Sequence, residues 1–99
     1  MGLMPHVAKK KDDFTPTPDE RAMLIRVAVG DLVRSHRTKA ESKLSQEELA
    51  YRSGISFEHL NHVENYKAKV SIEVLDKIAR ALGFARLSDL LAQDQKGIL

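Results

Sequence analysis

The stretch LSQEELAYRSGISFEHLNHVE, residues 44–64, contains two helix starts separated by one break. Ser45 followed three residues later by Glu48 is a capping box: the hydroxyl accepts from a free first-turn amide, and the carboxylate reaches back to the cap. Gln46 and Glu47 fill the first turn, where the positive end of the helix dipole favours acids. Leu49 and Ala50 supply an inward face. Gly54 follows Ala-Tyr-Arg-Ser and can turn left-handed at no steric cost, which ends the helix. Ser56 caps a second helix whose apolar side is Leu60 and Val63, three residues apart. Phe57, one turn before Leu60, can extend that side. Two helices joined by so little cannot both be long and cannot lie parallel. The second must cross the first and stand out from it, presented to a partner.

Upstream, TPTPDE, residues 15–20, is another start signal, with Thr17 as cap, Pro18 in the first turn and Glu20 completing a capping box. Leu24, Val27, Ala28, Leu32 and Val33 then recur at helical spacing, predicting a helix to about Arg37. Gly30 inside it either weakens the helix or admits a close backbone. TKAESK, residues 38–43, reads as a loop or an extension of that helix. Downstream, NYKAKV is a loop. Ser71 caps a helix carrying Ile72, Val74, Leu75, Ile78, Ala79 and Leu82, and Gly83 ends it. FARLSDLLA predicts a last short helix around Leu87, Leu90 and Leu91. Residues 1–16 have no periodicity and read as a flexible arm, and the chain frays from Gln93. The expectation is all-α: one domain of five short helices over residues 17–92, between an arm (1–16) and a tail (93–99).

The 99 residues suffice for one domain with a modest core. Cysteine is absent, which removes disulfides and thiolate metal sites and fits a reducing, cytoplasmic setting. No apolar run is long enough to span a membrane. The N-terminal lysines follow the apolar residues, the wrong order for a secretory signal, and Met1-Gly2 precedes Leu-Met-Pro-His, unlike a myristoylation site. The net charge is +2 and the pI about 9.0, so the placement of charge matters more than its sum. Arg34, Arg37, Lys39 and Lys43 face one acid, Glu41, and Lys67 and Lys69 form a second cluster. Either cluster can equally be a solvated surface. His59 and His62, three apart on a helix, can hold a metal ion, but no third ligand is evident. No catalytic spacing, metal site or cofactor motif emerges, so an enzyme is not expected.

Counted from Gln46, Leu49 comes three residues later, Ala50 four, Gly54 eight, Ile55 nine, Leu60 fourteen and Val63 seventeen. Ala50 lies where two crossing helices touch, Gly54 makes the turn, and Ile55, Leu60 and Val63 anchor the second helix. This is the helix-turn-helix pattern, whose second helix enters the major groove of DNA. The competing reading is a helical hairpin that packs and binds nothing. Residues 30–84 resemble the Cro/C1-type (phage-repressor-like, XRE) helix-turn-helix regulators, through LSQEELAYRSGIS, then HVE, then LDKIARALGF. Chain length and ENYKAKVSIEVL are also similar to the small controller proteins of restriction–modification systems. The resemblance implies a compact lambda-repressor-like domain that binds double-stranded DNA as a homodimer on a two-fold site and acts as a repressor or other transcription regulator.

Residue roles follow from the resemblance. Gln46 would hold a phosphate and buttress the recognition helix. Arg37 and Glu64 would form a structural ion pair. Phe57 and Glu58, first after the cap, would read bases, Phe57 against a thymine methyl and Glu58 against a cytosine amino group. Asn61 and His62 would join them. Phe57 is as readily a core residue. The recognition helix has no Lys or Arg, so phosphate contacts would come from Gln46, Ser56, His59, Arg52, Lys67, Lys69 and Lys43. Arg34, Lys39 and the arm's Lys9, Lys10 and Lys11 are further cations in reach. Where the family places Gly and Pro after this helix, Tyr66 and Val70 stand here, so either Asn65 turns left-handed or the loop differs. Phe84, Leu87, Leu90 and Leu91 would form the dimer surface or else close the core. A rival reading is the antitoxin of a toxin–antitoxin pair, its arm wrapping a protein partner.

Overall fold

The computed structural model describes residues 15–39 and 43–98. Within them lie five helices, α1 (Pro18–Thr38), α2 (Gln46–Ser53), α3 (Phe57–Glu64), α4 (Ile72–Ala81) and α5 (Leu87–Ile98). No strand occurs among the described residues. Apart from Thr15 and Pro16, the expected arm with Lys9, Lys10 and Lys11 lies outside them.

Four of these starts carry the expected cap. Glu20 N–H donates to Thr17 Oγ1 at 3.1 Å, Glu48 N–H to Ser45 Oγ at 3.0 Å, His59 N–H to Ser56 Oγ at 3.0 Å and Val74 N–H to Ser71 Oγ at 3.1 Å. Glu20 and Glu48 also accept from the cap backbone, closing both capping boxes. This bond holds the Glu48 carboxyl below its ordinary value.

Three helix ends share one construction. Gly54, Tyr66 and Gly83 take φ of 73°, 66° and 99°, and each sends its N–H back to the carbonyl three residues earlier. The next residue sends its N–H five residues back: Ile55 to Ala50, Lys67 to His62 and Phe84 to Ala79. These are Schellman closures. Two use glycine; the third uses tyrosine, where the left-handed region costs a side chain energy. Asn65 stays at φ −102°, so Tyr66 itself takes the conformation for which the sequence suggested Asn65.

The core is Val33, Leu49, Ala50, Leu60, Val63, Leu75, Ile78, Ala79 and Leu90, with Leu44 at its edge. α1 packs on α3, α2 on both α3 and α4, and α5 on α4. Gly30 is buried where α1 meets α3. A Cβ there would lie 2.6 Å from the Val63 carbonyl oxygen and 2.7 Å from Tyr66 Cδ1, so the glycine serves close approach.

Several expected core positions lie elsewhere. Leu24 and Ala28 are exposed, as are Met23 and Ile25, because α1 buries only Gly30, Val33 and His36, all in its second half. Ile72 is exposed in the first turn of α4. His36 is buried instead, its ring edge-on to Phe84 at 5.1 Å and 88°. Burial pushes its pKa below the ordinary value, with nearby Lys39 adding to the shift. α5 continues to Ile98, past the point where fraying was expected.

Candidate nucleic-acid interface

α3 is gripped along one side and open along the other. The grip centres on Glu64, the last residue of α3 and fully buried. Arg37 of α1 meets its carboxylate with two parallel bonds, Nε to Oε2 at 2.7 Å and Nη2 to Oε1 at 2.8 Å. This fork matches the planar guanidinium and is the strong form of such a pair. Arg37 and Glu64 are the two residues named as an ion pair from the sequence.

Two further bonds extend Arg37's role. Its Nη1 donates to the Leu44 carbonyl at 3.0 Å, while Leu44 N–H donates to the Arg37 carbonyl at 3.0 Å. Arg34, one turn earlier on α1, donates from Nη2 to the Glu64 carbonyl at 2.9 Å. That carbonyl belongs to the negative end of α3, where a cation is favoured. Arg34, read from the sequence as a cation available to phosphate, is thus also a C-terminal clamp on α3.

Gln46 completes the grip from the start of α2. Its Nε2 donates to Glu64 Oε1 at 2.9 Å, and its Oε1 accepts from Asn61 Nδ2 at 3.1 Å. Asn65 Nδ2 in turn donates to the Asn61 carbonyl at 2.9 Å and to Asn61 Oδ1 at 3.2 Å. Asn61 is therefore half-buried and bonded, unlike the other residues read as base-facing.

Beyond the grip, Tyr66 packs its ring over Gly30 and donates its hydroxyl to Asp31. The Asp31 carboxylate holds the Tyr66 phenol above its ordinary value. Sequence reasoning missed this contact; the available signal was a tyrosine where a glycine was expected, opposite the Gly30-Asp31 pair.

The open side of α3 carries Phe57, Glu58 and His62, all exposed, and half-buried His59. With Phe57 at 48% exposure, the structure places it outward. Ser56, Arg52, Lys43, Lys67 and Lys69 are exposed, and Lys67 and Lys69 follow the end of α3 directly. Leu90 is fully buried and Phe84 and Leu87 pack against the core, so of the four residues read as a dimer surface only Leu91 is exposed. Among the described residues no three His, Cys, Asp or Glu side chains gather as metal ligands, and no helix is long and apolar enough to cross a membrane.

Comparison with known proteins gives consistent results. A family profile described as helix-turn-helix (HTH_3) matches residues 33–90. An HTH-type transcriptional regulator of Methanothermobacter thermautotrophicus is 36% identical over 66 residues, covering 67% of this chain and 93% of the relative. The restriction–modification controller protein C.AhdI of Aeromonas hydrophila is 33% identical with a TM-score of 0.61, over 68% of this chain and 97% of that one. The clp gene regulator ClgR of Corynebacterium glutamicum is 31% identical with a TM-score of 0.60, over 75% and 92%.

Proposed function

The chain belongs to the HTH_3 helix-turn-helix family as a DNA-binding transcriptional regulator, and on that premise we propose that it binds a two-fold symmetric operator as a homodimer, with α3 in the major groove. The observation that carries this reading is the two-sidedness of α3. One side is locked by Arg34, Arg37 and Gln46 through Glu64, and the other leaves Phe57, Glu58 and His62 exposed. A rigidly held helix with free polar and aromatic tips suits base reading.

Phe57 would meet a thymine methyl and Glu58 a cytosine amino group, with His62 and Asn61 alongside. Affinity would come from cations and neutral donors beside the helix: Lys67, Lys69, Arg52, Lys43, Gln46, Ser56 and His59. Each lysine that neutralises a phosphate steepens the salt dependence by about one unit of slope. Two copies would set their α3 helices about one DNA turn, ~34 Å, apart. The exposed Leu91 is where α5 would contribute to that dimer.

Selection of duplexes from a random pool tests this, followed by titration of the winner against random duplex at two salt concentrations. A symmetric site bound far more tightly than random DNA is expected. Weak binding that enriches nothing and vanishes with salt would defeat it.

One observation favours a second reading, a protein partner such as a toxin whose antitoxin this chain would be. Met23, Leu24 and Ile25 are exposed on α1, and Ile25 also lines a groove of about 200 Å³ with Ala22, Arg26, Val29, Ala68, Lys69 and Val70. Co-expression with the product of the adjacent reading frame, followed by light scattering, separates a defined complex from the homodimer alone.

A further inference from the structure

We propose that Glu64 fixes the hydrogen-bonding polarity of Asn61, making Asn61 a specificity-determining donor that meets acceptor atoms of DNA, a purine N7 or a phosphate oxygen, and not the amino groups of adenine or cytosine. The inference rests on α3 reading DNA, as proposed above.

The Glu64 carboxylate, paired with a guanidinium, only accepts. Gln46 must therefore turn its NH2 toward Glu64, and the Nε2 to Oε1 separation is 2.9 Å. A primary amide is planar, so its oxygen then points away from Glu64. That oxygen accepts from Asn61 Nδ2 at 3.1 Å. Asn61 is thereby oriented in its turn: its Oδ1 faces Asn65 and accepts from Asn65 Nδ2 at 3.2 Å.

The bonds run in one direction, from Asn65 to Asn61 to Gln46 to Glu64. Reversal would set the Gln46 carbonyl oxygen against a carboxylate oxygen inside the protein. An asparagine free to flip offers a donor or an acceptor in either position, which is why it pairs with adenine through both. Asn61 has no such freedom. Its oxygen is turned toward Asn65, from which it accepts, one Nδ2 hydrogen is spent on Gln46, and the second Nδ2 hydrogen remains. Asn61 lies three and four residues after Glu58 and Phe57, on the same stretch of helix surface. The remaining donor thus sits beside the residues proposed to face DNA, next to the acceptor Glu58.

The test is a coupling measurement on the selected duplex. Wild type and Asn61→Ala are titrated against duplexes carrying one change each. A 7-deazapurine removes an N7, a methylphosphonate removes a charged phosphate oxygen, and purine or 2-pyrimidinone in place of adenine or cytosine removes an amino group. At one N7 or phosphate position the wild type should lose roughly fivefold to tenfold in affinity, and Asn61→Ala should lose nothing beyond the loss common to every phosphate. Which analogue shows the coupling distinguishes base from backbone. Coupling to an amino group, or to no position, overturns the proposal.

Glu64→Gln can donate as well as accept, so it frees the relay to reverse, and the coupling should fall at least severalfold in that variant. Unchanged coupling there also overturns the proposal, because Glu64 would then not be the director. If Glu64→Gln does not fold, Gln46→Ala takes its place: it cuts the link between Glu64 and Asn61, and the coupling should fall at least severalfold there, unchanged coupling again overturning the proposal. A wild type that selects no duplex defeats the base-reading function itself, and this inference falls with it.

Discussion

Removing the Glu64 carboxylate alone should destabilise the protein far more than removing it together with Arg37. In Glu64→Ala, Arg37 keeps only the Leu44 carbonyl, with its side chain 14% exposed. Gln46 Nε2 loses its acceptor, and a cavity opens at a fully buried position. Breaking a buried pair from one side costs about 3–5 kcal/mol, mainly the uncompensated charge. A domain of this size has roughly 5–15 kcal/mol in total, so the variant should be only marginally folded. A closed cycle takes Arg37→Met and Glu64→Leu singly and together: the double removes both charges and refills the volume, so it should cost well under the sum of those two singles, with a coupling of at least about 2 kcal/mol. Urea unfolding followed by far-UV circular dichroism measures this, provided the m-values agree across the four proteins. A single-variant cost below about 1 kcal/mol, or a double variant equal to the sum, would refute the view that the pair holds α3 as a desolvated unit.

Gly30→Ala gains about 1 kcal/mol in helix propensity, yet its Cβ would stand 2.6 Å from a main-chain oxygen of α3. Overpacking of about 1–3 kcal/mol should dominate, lowering the melting temperature and weakening specific DNA binding; a rise in melting temperature would show that α1 and α3 part freely. Ser53 Oγ is buried with no hydrogen-bond partner among the described residues, so Ser53→Ala should be neutral or raise stability by up to about 1 kcal/mol in the same urea assay. Burial lowers the pKa of His36 from 6.5, so the unfolded chain binds more protons than the folded one just below that pH. Stability should therefore fall as pH drops from about 6.5 toward the lowered value. His36→Gln should remove that part of the slope in melting temperature against pH.

The helix starts were legible because each is a local chemical statement. Thr17, Ser45, Ser56 and Ser71 act through amides three residues away, and no tertiary context is needed. Gly54 and Gly83 were legible for the same reason. Tyr66 was not, because its left-handed backbone depends on Gly30 and Asp31, thirty-six and thirty-five positions earlier in the chain. Leu24 and Ala28 fit the helical period, yet period alone cannot say how far along α1 the rest of the protein reaches. His36 was overlooked because a histidine's burial depends on finding a ring such as Phe84. At the candidate site, Arg37, Gln46 and Glu64 followed from a family resemblance. The link from Gln46 to Asn61 and Asn65 required three amides to be placed in space. The α5 residues Leu87 and Leu90 show the same limit: an apolar stripe serves core or partner equally well until its neighbours are known.

The two bonds between Arg37 and Leu44 pin together the chain positions that flank residues 38–43, through main chain and side chain at once. The geometry of the helices on either side is then set by that tie, not by the length of the path between the two residues. Doubling such a path costs only about 0.6 kcal/mol. This segment is therefore the place to graft a fluorophore tag, an epitope or a second domain onto the protein while leaving α3 where it is.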